Sequence, residues 1–150
     1  MILSDDTLNV LKNFATINPN LVLKPGQRVS TISEAKTIMA SAEIVEDFPQ
    51  EFGIYDLNEF LSVYGLIENP QVDFQEKSVV ISNTVGGNKL ANQQKINYFF
   101  AEQDILTTPQ KDIQMPNAEL GVNIAEDVMA QIRKAAAVLG HTELTLSGNN

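Results

Sequence analysis

The chain has 150 residues, is 43% hydrophobic, and carries 10 basic against 19 acidic residues, for a formal net charge of -9. This length is enough for one complete core and part of a second, and the negative charge argues against a protein that coats nucleic acid non-specifically. Because cysteine and any apolar run of bilayer length are absent, neither a disulfide framework nor a membrane span is expected, and a cytoplasmic setting is predicted.

The chain begins with a helix that is followed by a group of short strands. Ser4 is a suitable N-cap, and apolar residues at helical spacing predict a helix over residues 4–17 that stops at Asn18-Pro19-Asn20. The segments LVL, RVSTIS and TIMASAEIVE are rich in β-branched residues and are separated by turn formers. They predict an antiparallel meander.

A second helix and a second group of strands follow. After a short strand, FGIY, Asp56 as N-cap and Glu59 three residues later predict a helix over DLNEFLSVYGLI. The segments QVDFQE, SVVISN and KINYFFAE predict three strands, the last two separated by a turn at Gly86-Gly87. Residues 1–104 are therefore expected to run helix, meander, helix, meander, which is an α+β pattern.

The remaining residues divide into a connector and a further helical segment. Residues 105–117, ILTTPQKDIQMPN, contain two prolines and little regular pattern, which predicts a connector. AELGV then predicts a strand, and Asn123 with Glu126 resembles a capping box at the start of a helix over IAEDVMAQIRKAAAVLG. Gly140 is expected to cap that helix at its C-terminus, and HTELTL is expected to form the next strand.

The segment IAEDVMAQIRKAAAV repeats the pattern of LSDDTLNVLKNFATI, which begins 121 positions earlier. Both segments are acidic in the first turn, their apolar positions coincide, and Lys12 aligns with Arg133. Each is followed by a break, a short apolar strand and a glycine-containing turn, so one supersecondary unit begins twice. Residues 118–150 are therefore predicted to be the unfinished start of a second domain, with ELTLSGNN as the first half of a hairpin.

The basic residues of the two repeated helices fall on the face expected to be exposed. On a helical wheel, the apolar residues of the first helix lie on one side, and Asn9, Lys12 and Asn13 lie on the other. Arg133 and Lys134 occupy the matching face of the later helix. From the residues alone, an ordinary solvated face is the preferred interpretation, and a surface that contacts phosphates is the alternative.

The segments LSDDTLNVLKNFATIN and IYDLNEFL, together with the order of helices, meanders and connector, resemble the DNA polymerase sliding clamps of T-even-type tailed phages. The resemblance runs through the first domain and into the second. It implies a DNA-clamp fold with two helices packed on antiparallel meanders per domain and two domains per subunit. It also implies a ring of three subunits joined head to tail around duplex DNA in the infected cell, with DNA polymerase and a clamp loader as partners.

The resemblance also implies roles for individual residues. Helices line the hole of such a ring, so the DNA-facing candidates are Asn9, Lys12, Asn13, Arg133 and Lys134. Partners of the family dock a short apolar peptide beside the connector. The apolar residues available there are Ile105, Leu106, Ile113 and Met115. That these side chains simply pin the connector to the sheets is an equally good interpretation.

No motif in the sequence predicts an enzyme, a metal site or a cofactor. His141 is the single histidine, and the Gly86-Gly87 segment lacks the spacing of a phosphate-binding loop. Adjacent carboxylates such as Asp5 and Asp6 diverge by about 100° on a helix, so they cannot flank a substrate as acid and base.

A second hypothesis is a naturally short interaction module that self-associates through its unfinished second domain. The later helix and strand carry apolar side chains that need cover, and exposed apolar faces commonly drive association. These side chains are Val128, Met129, Ile132, Leu139, Leu144 and Leu146.

Overall fold

The chain divides into two units, Met1–Asp112 and Ile113–Asn150. The division falls inside the segment 105–117 that the sequence predicts to be a connector. A computed structural model of the protein describes residues 1–83, 94–111, 117 and 121–147. The turn predicted at Gly86-Gly87 lies outside these residues.

The described part of the first unit contains helices and strands in the predicted order. They are α1 (Asp5–Ala15), β1 (Leu21–Leu23), β2 (Gly26–Ile32), β3 (Met39–Phe48), β4 (Phe52–Ile54), α2 (Leu57–Gly65), β5 (Pro70–Phe74), β6 (Ser78–Asn83) and β7 (Lys95–Phe99). A short 3-10 helix, Gln103–Ile105, follows. The predicted α+β class is confirmed.

Both helices of this unit begin at the predicted caps. The Ser4 side chain accepts a hydrogen bond from the backbone N–H of Thr7 at 3.2 Å. Asp56 Oδ1 accepts from the backbone N–H groups of Asn58 and Glu59 at 2.9 and 3.1 Å. Because the first N–H groups of a helix have no partner within it, these caps explain where α1 and α2 start.

The strands pair antiparallel in three groups: β1 with β4, β2 with β3, and β5 with β6 and β7. One pairing differs from the predicted order, because β1 pairs with β4 and not with β2. Gly26, at φ +108°, redirects the chain after β1 in a conformation that favours glycine. β1 and β4 are both short and buried, so their pairing satisfies backbone groups that water cannot reach.

The core of the first unit lies between the two helices and the strands. α1 contributes Leu11 and Phe14, and α2 contributes Leu57, Phe60 and Tyr64, all buried. Each such side chain stabilises the fold by about 1.5–3 kcal/mol when it is fully removed from water. The burial of one face orients α1, so that its opposite face is exposed.

The second unit contains α3 (Glu126–Leu139). The predicted N-cap at Asn123 is wrong: Ala125 is the N-cap, and its side chain cannot accept a hydrogen bond. Glu126 and Asp127 in the first turn stabilise this end of the helix by their charge. Gly140 caps the other end in the left-handed conformation, as predicted, at φ 70°.

The strand predicted over HTELTL is also wrong, because residues 141–147 form no strand. A strand requires a hydrogen-bonded neighbour, and no described residue of this unit provides one. Of the predicted strand AELGV, Gly121 and Val122 are not in a strand, and residues 118–120 lie outside the described part of the chain.

Candidate nucleic-acid interface

The exposed face of α1 brings three polar side chains together. Asn9, Lys12 and Asn13 are all exposed and are spaced three and four residues apart, which places them side by side on a helix. The acidic residues of α1, Asp5 and Asp6, lie in its first turn. The later turns of this face therefore present one ammonium group and two carboxamides, in a protein whose net charge is negative.

A hydrogen-bonded carboxylate holds the start of α1 against β3. Glu46 accepts hydrogen bonds from the backbone N–H of Ser4 and from the Thr7 hydroxyl. Partial burial by itself raises the pKa of Glu46, but these hydrogen bonds together outweigh it and hold the pKa below the ordinary value of 4.5. The ionised form of Glu46 therefore holds the first residues of α1 against β3.

Tyr64 of α2 supports the residues that lead into α1. The backbone N–H of Leu3 donates to Tyr64 Oη at 3.0 Å. Burial raises the pKa of the Tyr64 hydroxyl, and the hydrogen bond from Leu3 offsets part of that effect. The tyrosine therefore stays neutral and holds the chain just before the N-cap.

The other two DNA-facing candidates lie in the second unit. Arg133 and Lys134 are exposed on α3, and Glu126 and Asp127 are confined to its first turn. The arrangement of charge along α3 thus repeats that of α1, as the internal repeat predicts. Each set of residues forms a surface within its own unit.

The apolar side of α3 differs from that of α1 because no described residue of α3 is buried. Val128 is 44% exposed and Leu139 is 66% exposed. Met129, Ile132 and Leu144 line a shallow groove of about 350 Å³ between α3 and the residues that follow it. The apolar face of α3 is therefore not buried among the described residues, as the sequence predicts for the second unit.

Among the connector candidates, the structure separates two neighbouring residues. Leu106 is buried, at 8% exposure, whereas Ile105 is 58% exposed. A Cβ atom built on Gly53 would lie 2.6 Å from Leu106 Cδ1, so Leu106 packs directly over the backbone of β4. Leu106 therefore attaches the connector to β4, as one interpretation of these residues expects. Ile105 lies on the surface, where a partner could contact it. Ile113 and Met115 lie outside the described residues.

Asn18 and Asn20, which the sequence pattern identifies only as helix-stopping residues, also hold the connector. Buried Asn18 donates through Nδ2 to the carbonyls of Ile32 and Thr107, at 2.7 and 2.9 Å. Asn20 accepts from the backbone N–H of Thr107 at 3.2 Å. The Asn-Pro-Asn pattern was the available signal, but it gives no indication of a partner that lies about ninety residues further along the chain.

The described residues contain no cluster of three or more His, Cys, Asp or Glu able to hold a metal ion. His141 is exposed just after the C-cap of α3. A search of the same residues finds no helix that is long and apolar enough to cross a membrane.

Comparison with known proteins identifies the class to which this fold and these surfaces belong. A family model described as "DNA polymerase processivity factor" matches residues 4–98, and the chain belongs to this family. The match spans α1 to most of β7 and so includes the polar face of α1.

Three proteins with sequences similar to this chain are phage sliding clamps. The chain is 35% identical to that of Vibrio phage KVP40 over 147 residues, which is 96% of this chain and 63% of the relative. It is 33% identical to that of Escherichia phage RB69 and 35% identical to that of Enterobacteria phage T4, in each case over 89% of this chain and 56% of the relative. The predicted resemblance to T-even-type sliding clamps is confirmed. The chain spans about three fifths of the length of these relatives.

Proposed function

We propose that this protein is part of a sliding clamp, a ring that holds a DNA polymerase on duplex DNA and performs no chemistry itself. The main structural support for this proposal is the polar face of α1. Asn9, Lys12 and Asn13 are exposed together there, and acidic residues occur only in the first turn. Membership of the processivity factor family supports the same function.

The physical requirements of a sliding tether fit this surface. A ring is retained by topology, so its contacts with DNA need only be weak. Lysine and carboxamide donors can bind phosphate oxygens without reading bases, and such contacts carry no sequence information. The acidic remainder of the protein repels DNA from other sites. On α3, Arg133 and Lys134 are proposed to play the same part.

We further propose that residues 1–104 are the first clamp domain, 105–117 the connector, and 118–150 the beginning of a second domain. The division of the chain between Asp112 and Ile113 supports a boundary within the connector. In the complete protein, three such subunits would join head to tail. DNA polymerase and a clamp loader would dock a short apolar peptide beside the connector, where Ile105 is the exposed apolar residue among those that the structure describes.

Retention on circular DNA tests the tether directly. The chain, labelled with a fluorophore, is incubated with a nicked circular plasmid, clamp loader and ATP, and bound protein is separated by gel filtration before and after the plasmid is linearised. Release on linearisation is expected, because a closed ring leaves DNA only over a free end. Equal binding to circular and linear plasmid, or no binding to either, would contradict the proposal for this chain.

A second candidate function, self-association as an interaction module, is favoured by one observation. The apolar side of α3 is uncovered, with Val128 and Leu139 both exposed. An exposed patch of this kind commonly mediates binding. Light scattering over a range of concentrations tests it, because a protein that stays monomeric at the highest concentration does not pair through this face.

A further inference from the structure

Three basic side chains of the first unit meet in one pocket that the clamp proposal does not use. Lys24 follows β1, Arg28 lies on β2, and Lys111 lies in the connector, and together they line a concave site of about 300 Å³. Pro25 and Pro109 form part of its walls. None of the described residues that line the site is acidic. The whole chain has 19 acidic and 10 basic residues, so the basic lining of this pocket is opposite in sign to the net charge of the protein.

Backbone conformation and hydrogen bonds fix the segments that lead into both walls of this basic pocket. On one side, the positive φ of Gly26 and a bulge between Gly26 and Arg28 set the direction of the chain at the start of β2. On the other side, Asn18 and Asn20 fix Thr107, just before the residues that contribute Lys111. A site whose backbone is already ordered loses little conformational entropy when a ligand binds.

We propose that the basic pocket binds a short acidic segment of a partner protein, whose Asp and Glu carboxylates pair with Lys24 and Lys111 beside Arg28. Guanidinium and ammonium groups form strong charge-assisted hydrogen bonds with carboxylates. The rings of Pro25 and Pro109 offer apolar contact to the aliphatic parts of the same segment. The assignment of a protein partner rests on the proposed function, in which partners dock beside the connector.

The size of the pocket favours a peptide over nucleic acid. Duplex DNA carries one charge per about 1.7 Å, and tight non-specific binding requires a row of cations that neutralises several phosphates. The two exposed lysines of this concave site can neutralise only a few charges, which matches two or three neighbouring carboxylates. The acidic surface elsewhere on the protein repels a long polyanion more strongly than it repels a short peptide.

The two lysines are the best positions at which to test the pocket. Arg28 lies opposite Glu43 in the β2–β3 ladder, so a change at Arg28 would also affect the sheet surface. Lys24 and Lys111 are both exposed, and Lys24→Gln with Lys111→Gln removes two charges at the pocket. The matched control, Lys77→Gln with Lys95→Gln, removes two exposed lysines of the same unit that do not line it.

The experiment measures binding of fluorescein-labelled hexaglutamate to the 150-residue chain by anisotropy at low ionic strength. We expect saturable binding that the pocket variant weakens by about tenfold and the control variant changes little. In the unmodified chain, NMR titration with the same peptide is expected to shift the amides of Lys24, Arg28 and Lys111. This second measurement needs no variant and therefore does not depend on how the variants fold.

Four outcomes would overturn the inference. The first is no saturable binding, and the second is equal weakening by both variants, which would indicate attraction to lysine charge in general. The third is displacement of the peptide by a lower concentration of hexathymidylate, which would identify a nucleic-acid site. The fourth is displacement by inorganic phosphate at the same concentration of charge, which would identify a simple anion site.

The same measurements separate this inference from the clamp proposal. If hexaglutamate fails to bind while retention on circular DNA is normal, only this inference fails. Loss of retention on circular DNA with normal peptide binding would contradict the clamp proposal.

Discussion

Asn18 holds Thr107 across 89 residues of sequence: its Nδ2 atom donates to the Thr107 carbonyl at 2.9 Å while the rest of the side chain is fully buried. The same amide group donates to Ile32, and its Oδ1 atom accepts from the backbone N–H of Asn20 at 2.8 Å. One side chain thus joins the end of α1, β2 and the connector. The position of Thr107 within the first unit therefore depends on this hydrogen-bond network around buried Asn18.

Asn18→Ala is expected to destabilise the protein by about 2–4 kcal/mol, because it removes three hydrogen bonds from part-buried backbone groups. The free energy of unfolding in urea measures this effect. Hydrogen exchange is expected to show faster exchange at Leu106 and Thr107. Asn13→Ala, which changes an exposed asparagine on α1, is the control and should stay within about 0.5 kcal/mol of the unmodified protein. Equal effects of the two substitutions would contradict a structural role for Asn18.

Gly53→Ala tests the close packing of the connector over β4. The added methyl group would lie 2.6 Å from both the Ala101 carbonyl oxygen and Leu106 Cδ1, so backbone must shift. We expect a loss of about 1–3 kcal/mol of stability in urea unfolding. At Gly65, near the end of α2, no atom lies within 4 Å of an added Cβ. Gly65→Ala is therefore expected to be neutral or stabilising by up to about 1 kcal/mol, and a Gly53→Ala protein of unchanged stability would refute the contact.

Glu46→Gln tests the ionised group at the start of α1. Because the folded pKa of Glu46 lies below its ordinary value of 4.5, its contribution to stability is complete above about pH 4.5 and is lost as the pH falls through the folded pKa. At neutral pH we expect the variant to be less stable by about 1–3 kcal/mol. The difference should shrink as the solution is acidified below pH 4.5.

Urea unfolding measured between neutral pH and strongly acidic pH provides these values. Dilute protein is required because the pI is near 4.4. Glu34→Gln, at an exposed position between β2 and β3, is the control. A stability difference for Glu46→Gln that does not change with pH would show that its carboxylate does not act through charge.

Lys12→Gln tests the polar face of α1 as a DNA surface. Each lost phosphate contact is expected to reduce the slope of log K against log salt concentration by about 0.9 per subunit. Loading onto nicked circular plasmid, measured at several salt concentrations, gives that slope. Lys95→Gln on β7 is the control, and stability in urea should be unchanged in both variants. An unaltered slope for Lys12→Gln would mean that Lys12 does not contact phosphate.

Hydrogen exchange tests the difference between α1 and α3. Leu11 and Phe14 anchor α1 in the core, whereas no described residue of α3 is buried. The amides of α3 are therefore expected to exchange much faster than those of α1 in dilute protein. If their protection increases with protein concentration, another copy covers the helix, as the self-association hypothesis requires. Strong, concentration-independent protection of α3 would contradict both expectations.

The elements of the first unit were predictable because local signals and burial agree there. Ser4 and Asp56 cap helices whose apolar residues recur at helical spacing, and the core buries those same residues. In α3 the local sequence signals predicted the wrong N-cap. Asn123 matched a capping box, but the helix begins at Glu126, where two carboxylates face the helix N-terminus. A strand predicted by alternation alone did not form without a neighbour.

The sequence by itself determined the α+β class, the N-caps of α1 and α2, the internal repeat and the polar face of α1. These features depend on residues only a few positions apart, whose spacing decides which side of a helix or strand they occupy. Only the tertiary structure decided that β1 pairs with β4, that Asn18 holds Thr107, and that Lys24, Arg28 and Lys111 share a pocket. Contacts between distant segments follow from how the whole core packs, and no local pattern of residues encodes them.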